Sequence, residues 1–257
     1  MASALGDYSS IRANYLIEDL IGDYRPNGVI KSVHVEANIS ESDPVVETAW
    51  LQAIADEHGY PHAIVAYSDL RSSNVGAELD RHCSHRNMRG VRVPDEEELS
   101  NTEFRRGVTE LAHRHLSLQA DAPPQRMDEL LSLAREYPEV TFFLGHAGVP
   151  EERTDEYFNV WGRALRRIAA AENVAIKISG LGMCDRHWTV DSIRRWVLEA
   201  IDVFGVHRCV FGTNWPVDRL YSDLPTLLNA YRMLVSSFTR DEQEALLFRN
   251  AERLYSI

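Results

Sequence analysis

Two glycines enclose a histidine in Gly145-His146-Ala147-Gly148, directly after five apolar residues, Val140 to Leu144. The apolar run reads as a strand buried on both faces, and the glycines let the backbone bend sharply at its end. An imidazole there stands at the carboxyl end of a buried strand, where parallel α/β proteins assemble their sites. A histidine that merely caps the strand is the structural alternative. The other strand ends carry Glu36, Ser68 or Asp69, Arg92, Gln119 with Asp121, Lys177 with Ser179, and Asn214. Period-two alternation puts Lys177 and Ser179 on one face while Ile176 and Ile178 face the helices, and it pairs Gln119 with Asp121 in the same way. A lysine in a buried strand is costly unless paired or placed at a mouth, so Lys177 either bridges to a carboxylate such as Glu36 or meets a ligand. Arg92 has the same two readings, and its forked donors suit a substrate carboxylate.

Other histidines mislead. His113-Arg114-His115 has the HxH form that places two imidazoles on one metal when it ends a strand. Here it precedes the strand at 116–120 and belongs to the opposite, structural end; His82 and His85 likewise precede theirs. No GxSxG elbow, Walker loop or HExxH occurs.

The elements that must position these side chains alternate along the chain. Strands are expected over 29–37, 62–68, 89–93, 116–120, 140–145, 174–179 and 208–213. On the first, Val33 and Val35 share one face, His34 and Glu36 the other. Helices are expected over 15–25, 44–58, 74–82, 102–114, 123–137, 155–171 and 190–204, and two more close the chain. The last begins at Thr239-Arg240-Asp241-Glu242, a capping box. The acidic run Asp95–Glu98 reads as a solvated loop or helix start. Seven strand–helix units without GxGxxG fit a parallel (β/α) barrel better than a doubly wound sheet. A closed barrel of this type needs about eight strands.

The 257 residues, 44% hydrophobic, suit one domain over 1–257. With 27 basic and 39 acidic residues, the formal charge is −12. That balance disfavours nucleic acid or an anionic membrane as partner and points to a small-molecule substrate. No apolar run reaches membrane-spanning length, and the first residues lack a signal-peptide pattern. Three cysteines, Cys83, Cys184 and Cys209, lack CxxC spacing and fit reduced thiols in a cytoplasm.

Phe142-Phe-Leu-Gly-His-Ala-Gly148, Val174-Ala-Ile-Lys-Ile-Ser-Gly180, Val210-Phe-Gly-Thr-Asn-Trp-Pro-Val217 and Arg249-Asn-Ala-Glu-Arg-Leu-Tyr255 together resemble the amidohydrolase-related family. This is the branch of the amidohydrolase superfamily with sugar lactonases, pyrone-dicarboxylate lactonase and some decarboxylases. The resemblance runs from about Tyr15 to Tyr255. It implies a (β/α)8 barrel whose strand ends hydrolyse a lactone, ester or amide. It also implies that His146 binds a metal or the scissile carbonyl, and that Arg92 holds a substrate carboxylate. One weakly bound divalent metal, zinc or manganese, or none at all, is the implied cofactor.

Two departures qualify the resemblance. The family's opening HxH strand has no counterpart here, which accounts for the count of seven. Asn214 stands where the family's GSDWP motif has its aspartate base, and an amide cannot take a proton at neutral pH. The expected site is therefore His146 and Asn214 as catalytic groups, with Arg92, Lys177, Glu36, Gln119 and Ser179 binding substrate. The expected activity is hydrolysis of a small carboxylated lactone, ester or amide. A catalytically impaired or binding-only barrel, or a decarboxylase, are the alternatives. The slot left by the missing strand is expected to be filled by the first fifteen residues, by a second copy in a homodimer, or by a longer native chain.

Overall fold

The computed structural model describes residues 7–37, 43–93 and 98–257. Its seven strands form one sheet in chain order, each parallel to its neighbours. They are β1 (Val33–Val35), β2 (Ala63–Tyr67), β3 (Met88–Arg92), β4 (Ser117–Ala120), β5 (Phe142–Leu144), β6 (Val174–Ile178) and β7 (Cys209–Phe211). Every one coincides with an expected run. β1, β5 and β7 are shorter than expected, at three residues each. The acidic run at Asp95–Glu98 falls, apart from Glu98, outside the described residues.

Helices cover the outer face, and their sequences show why they form. Asp155–Ile168 buries Tyr157, Trp161, Leu165 and Ile168, a stripe at helical spacing. Its first turn is capped by Thr154, whose Oγ1 accepts from the Tyr157 amide at 3.1 Å. Ile176 and Ile178 face these helices in one core with Leu118 and Phe142. The opposite strand face forms a smaller inner core of Ala63, Val65, Phe143, Ala175 and Val210, closed by Tyr255. Tyr255 stacks on Phe143 with ring centres 4.3 Å apart. Burying side chains of this size stabilises by roughly 1.5–3 kcal/mol each.

Tyr255 is delivered by the C-terminal helical segment, Arg240–Glu244 followed by a π-helical turn (Ala245–Arg249) and Asn250–Tyr255. The capping box opens it: the Glu242 amide donates to Thr239 Oγ1, and the Thr239 amide to Glu242 Oε2. A short helix absent from the sequence reading, Leu181–Cys184, follows β6.

The sheet curls as a TIM-type (β/α) barrel does but lacks the first strand, so β1 and β7 do not pair. Side-chain contacts tie the chain across the gap, Trp215 Nε1 donating to Asp23 Oδ2 at 2.8 Å among them. Lys31 Nζ lies 2.6 Å from Glu252 Oε1, and Tyr24 Oη lies 3.4 Å from Thr213 Oγ1. Among the described residues no strand occupies the slot; the N-terminal segment forms a 3₁₀ turn, Ser9–Ile11, and the helix Ile17–Tyr24. Backbone groups on both edges would be costly if buried without partners. However, all three residues of β1 are only partly buried, so its edge reaches solvent. No described helix is long and apolar enough to cross a membrane.

Candidate active site

A cleft of about 1860 Å³ opens at the carboxyl ends of the strands and continues into the slot. Glu36, Arg92, Gln119, Asp121, His146, Lys177 and Asn214 all line it. Ser179 does not; it is buried behind His146. Ser68 turns away to Glu78 (2.6 Å), and Asp69 pairs with Arg71 at the surface. Alternation holds for Lys177, Ser179, Gln119 and Asp121. It fails for Glu36, which turns inward to Arg92 although Val33 and Val35 already face the inner core.

The backbone after β5 is strained where His146 sits. His146, Ala147 and Val149 all have positive φ (47°, 54° and 48°), an arrangement costing about 1–3 kcal/mol per residue that must be held by its surroundings. Trp161 Nε1 donates to the Ala147 carbonyl at 2.8 Å and anchors the turn. Two glycines permit the close packing of the site. A Cβ on Gly145 would lie 1.7 Å from Asp121 Oδ1, and one on Gly180 would lie 2.5 Å from His146 Nδ1. Gly180 also has φ +63°.

The charged groups form a chain through the mouth. Arg92 donates from Nη1 to Glu36 Oε1 at 3.0 Å and from Nη2 to Asp121 Oδ2 at 2.6 Å. His146 Nε2 lies 3.8 Å from the same Asp121 oxygen, and its Nδ1 is 3.1 Å from Ser179 Oγ. Ser179 Oγ can donate to Nδ1 or accept from it, and Nε2 lies beyond hydrogen-bond reach of Asp121. Burial lowers His146 to about 4, against the pull of Asp121, so the ring is neutral at pH 7. Burial also pushes on Asp121, upward, but His146, Arg92 and Lys177 outweigh it and hold this carboxyl below the usual range.

Lys177 donates to the neutral amide oxygen of Gln119 at 3.3 Å. It therefore does not bridge to Glu36, which Arg92 has taken. Burial lowers Lys177 to about 8, partly opposed by Asp121. Both arms of the Arg92 fork are engaged by carboxylates of the protein, so Lys177 is the cation better placed to meet an incoming anion. Asn214, with φ +51°, ends the loop after β7, and its Nδ2 donates to Asp218 Oδ1 at 2.8 Å. Asp218 escaped the sequence reading: it lies in the 3₁₀ turn Val217–Leu220, where no periodicity marks a side chain as buried.

A divalent metal, which the resemblance implies, meets a poor donor set here. His146 and Asp121 are one imidazole and one carboxylate, and the cation that links Asp121 to Glu36 is the Arg92 guanidinium. Among the described residues no three His, Cys, Asp or Glu side chains converge, whereas stable zinc sites use three or four protein ligands. The residues present do not fit a tightly held zinc. Elsewhere, His82 is a core residue, its Nδ1 2.9 Å from Thr48 Oγ1, and burial lowers it to about 4.

Comparison with known proteins agrees with the fold. The profile of the Amidohydrolase family matches residues 17–257. The chain is 41% identical over 268 residues to uncharacterized protein y4mH of Sinorhizobium fredii, covering 99% of this chain and 90% of that one. It is 27% identical over 264 residues to an L-fucono-1,5-lactonase of Burkholderia multivorans, covering 93% and 88%. An amidohydrolase from Burkholderia multivorans crystallised with HEPES superposes with a TM-score of 0.87 at 25% identity, covering 97% and 91%. A second crystal form, described with bound zinc, superposes equally well at 24% identity, over 97% and 91%. With its seven parallel strands and a family match over nearly its whole length, this chain belongs to the amidohydrolase family.

Proposed function

We propose that the protein is a hydrolase of a small lactone or ester that carries a carboxylate, acting at the barrel mouth. The observation that supports this most is that His146, Lys177 and Asn214, from the ends of β5, β6 and β7, line one cleft. In this reading His146, neutral and with its proton on Nε2, donates to the scissile carbonyl oxygen and stabilises the charge that develops there. Lys177 binds the substrate carboxylate. Asn214 orients the attacking water, and Glu36, a carboxylate lining the same cleft, accepts the proton that an amide cannot. Arg92 keeps Glu36 and Asp121 in place. Lactones that keep a free carboxylate head the substrate panel, with neutral sugar-acid 1,5-lactones beside them because relatives named L-fucono-1,5-lactonase align over most of this chain.

A binding-only barrel is the second reading, favoured by one observation: Asn214 occupies the place of the family's base. Proton release from a panel of aldonolactones and pyrone carboxylates, with and without added zinc or manganese, separates the two. Turnover of any member supports the hydrolase. Saturable binding with no turnover in either condition supports the binding protein.

A further inference from the structure

Asp218 is 1% exposed, yet its hydrogen-bond donor is a neutral amide, Asn214 Nδ2 at 2.8 Å. A buried carboxyl without a cation is costly when ionised. The turn that carries it is tied back to the site, since the Asp218 amide donates to the Asn214 carbonyl at 3.1 Å. The titratable groups that sense Asp218 are Cys184 from the short helix after β6, Tyr221 beyond the turn, and Tyr231 from the helix Leu224–Leu234. None is basic, and the Tyr231 hydroxyl is committed to the Gly212 carbonyl at 3.1 Å.

A carboxamide has two faces, one donor and one acceptor. Which face the cleft meets depends on what holds the other. We propose that Asp218 is the positioning residue for Asn214: its carboxylate holds Nδ2, so Oδ1 is presented to the cleft, and protonation of Asp218 reverses the amide. A protonated carboxyl donates, and its best acceptor within this pair is Asn214 Oδ1. Turning the amide to meet it sends Nδ2 toward the cleft. The mouth then offers a donor in place of an acceptor, which suits a carboxylate or carbonyl and no longer orients a water by accepting from it.

Burial is the dominant influence on Asp218, raising it to about 7 against the lowering effect of the Asn214 hydrogen bond. The reversal therefore falls near neutral pH: acceptor presented above that value, donor below it. This inference rests on the proposed placement of Asn214 in the site, but it can be tested without any substrate.

The test follows the side-chain amide protons of Asn214 in the full-length ¹⁵N-labelled protein from pH 5.5 to 8.5, assigned by their loss in Asn214→Ala. The ¹³C carboxyl resonance of Asp218 is recorded in parallel. Both should titrate with one common midpoint near 7, and the Asn214 titration should vanish in Asp218→Asn. An Asp218 midpoint in the ordinary carboxyl range overturns the proposal. So do Asn214 amide signals that stay flat while Asp218 titrates, or that titrate unchanged in Asp218→Asn. If Asp218→Asn does not fold, the two wild-type titrations still decide. A lactone panel without turnover leaves these resonances where they are, so failure of the hydrolase reading is told apart from failure of this one.

Discussion

Arg92→Met removes the cation that joins Glu36 to Asp121 while keeping most of the side chain's length. All three residues are at least nine-tenths buried, so the variant leaves two buried carboxylates without the cation that joins them. Breaking a buried pair from one side typically costs about 3–5 kcal/mol, a large part of a domain's usual 5–15 kcal/mol, to order of magnitude. For a chain of this size that corresponds to a fall in Tm of roughly 6–20 °C. Urea denaturation at pH 7 and at about pH 3, below the unfolded carboxyl range, is the assay. In the wild type, Asp121 is held below its ordinary value, so its contribution is present above the unfolded carboxyl range and is lost as pH falls through its folded value. In the variant Asp121 loses the share that Arg92 supplies and keeps those of His146 and Lys177, so less of its contribution remains to be lost on acidification. The gap between the two proteins should therefore narrow only below the unfolded carboxyl range, by about pH 3. A loss below about 1 kcal/mol, the scale of an exposed ion pair, would refute the reasoning, as would a gap equally wide at both pH values.

Two further outcomes follow from the geometry. Lys177 titrates near 8, and its ammonium is the form that holds an anion, so affinity for a carboxylated ligand should weaken as pH rises through 8; calorimetry from pH 6.5 to 9.5 checks this, and an unchanged affinity counts against Lys177. Gly180→Ala forces a Cβ against His146 Nδ1 at a positive φ; we expect about 1–3 kcal/mol of destabilisation and a displaced His146 ring, visible as a shift of its imidazole resonances.

Much of the fold was legible because parallel barrel strands advertise themselves. Runs such as Val174–Ile178 are apolar on the helix-facing side and interrupted only where a side chain turns inward, as at Lys177. Alternation along β4 and β6 accordingly placed Gln119, Asp121, Lys177 and Ser179 correctly. It misplaced Glu36, which turns to the same side as Val33 and Val35 to reach Arg92. Partners were harder to read than positions. Whether Glu36 pairs with Lys177 or Arg92 depends on which strand ends the curl of the sheet brings together, and no local pattern encodes that. Asp218 was invisible for a similar reason, its burial arising from how the loop after β7 folds back. The four residues Leu181–Cys184 are too few to show helical periodicity.

The central claim is that His146 and Lys177 act on one substrate in one cleft, the first on the reacting carbonyl and the second on a remote carboxylate. Steady-state hydrolysis of the best lactone from the panel, by wild type, His146→Gln and Lys177→Met, tests it most directly. His146→Gln should lower kcat by 100-fold or more, in keeping with the roughly 10²–10³-fold loss when one oxyanion donor is removed, with little change in KM. Lys177→Met should raise KM for the carboxylated substrate and spare its uncharged analogue. Wild-type kcat in His146→Gln, or equal losses on both substrates in Lys177→Met, would contradict the account.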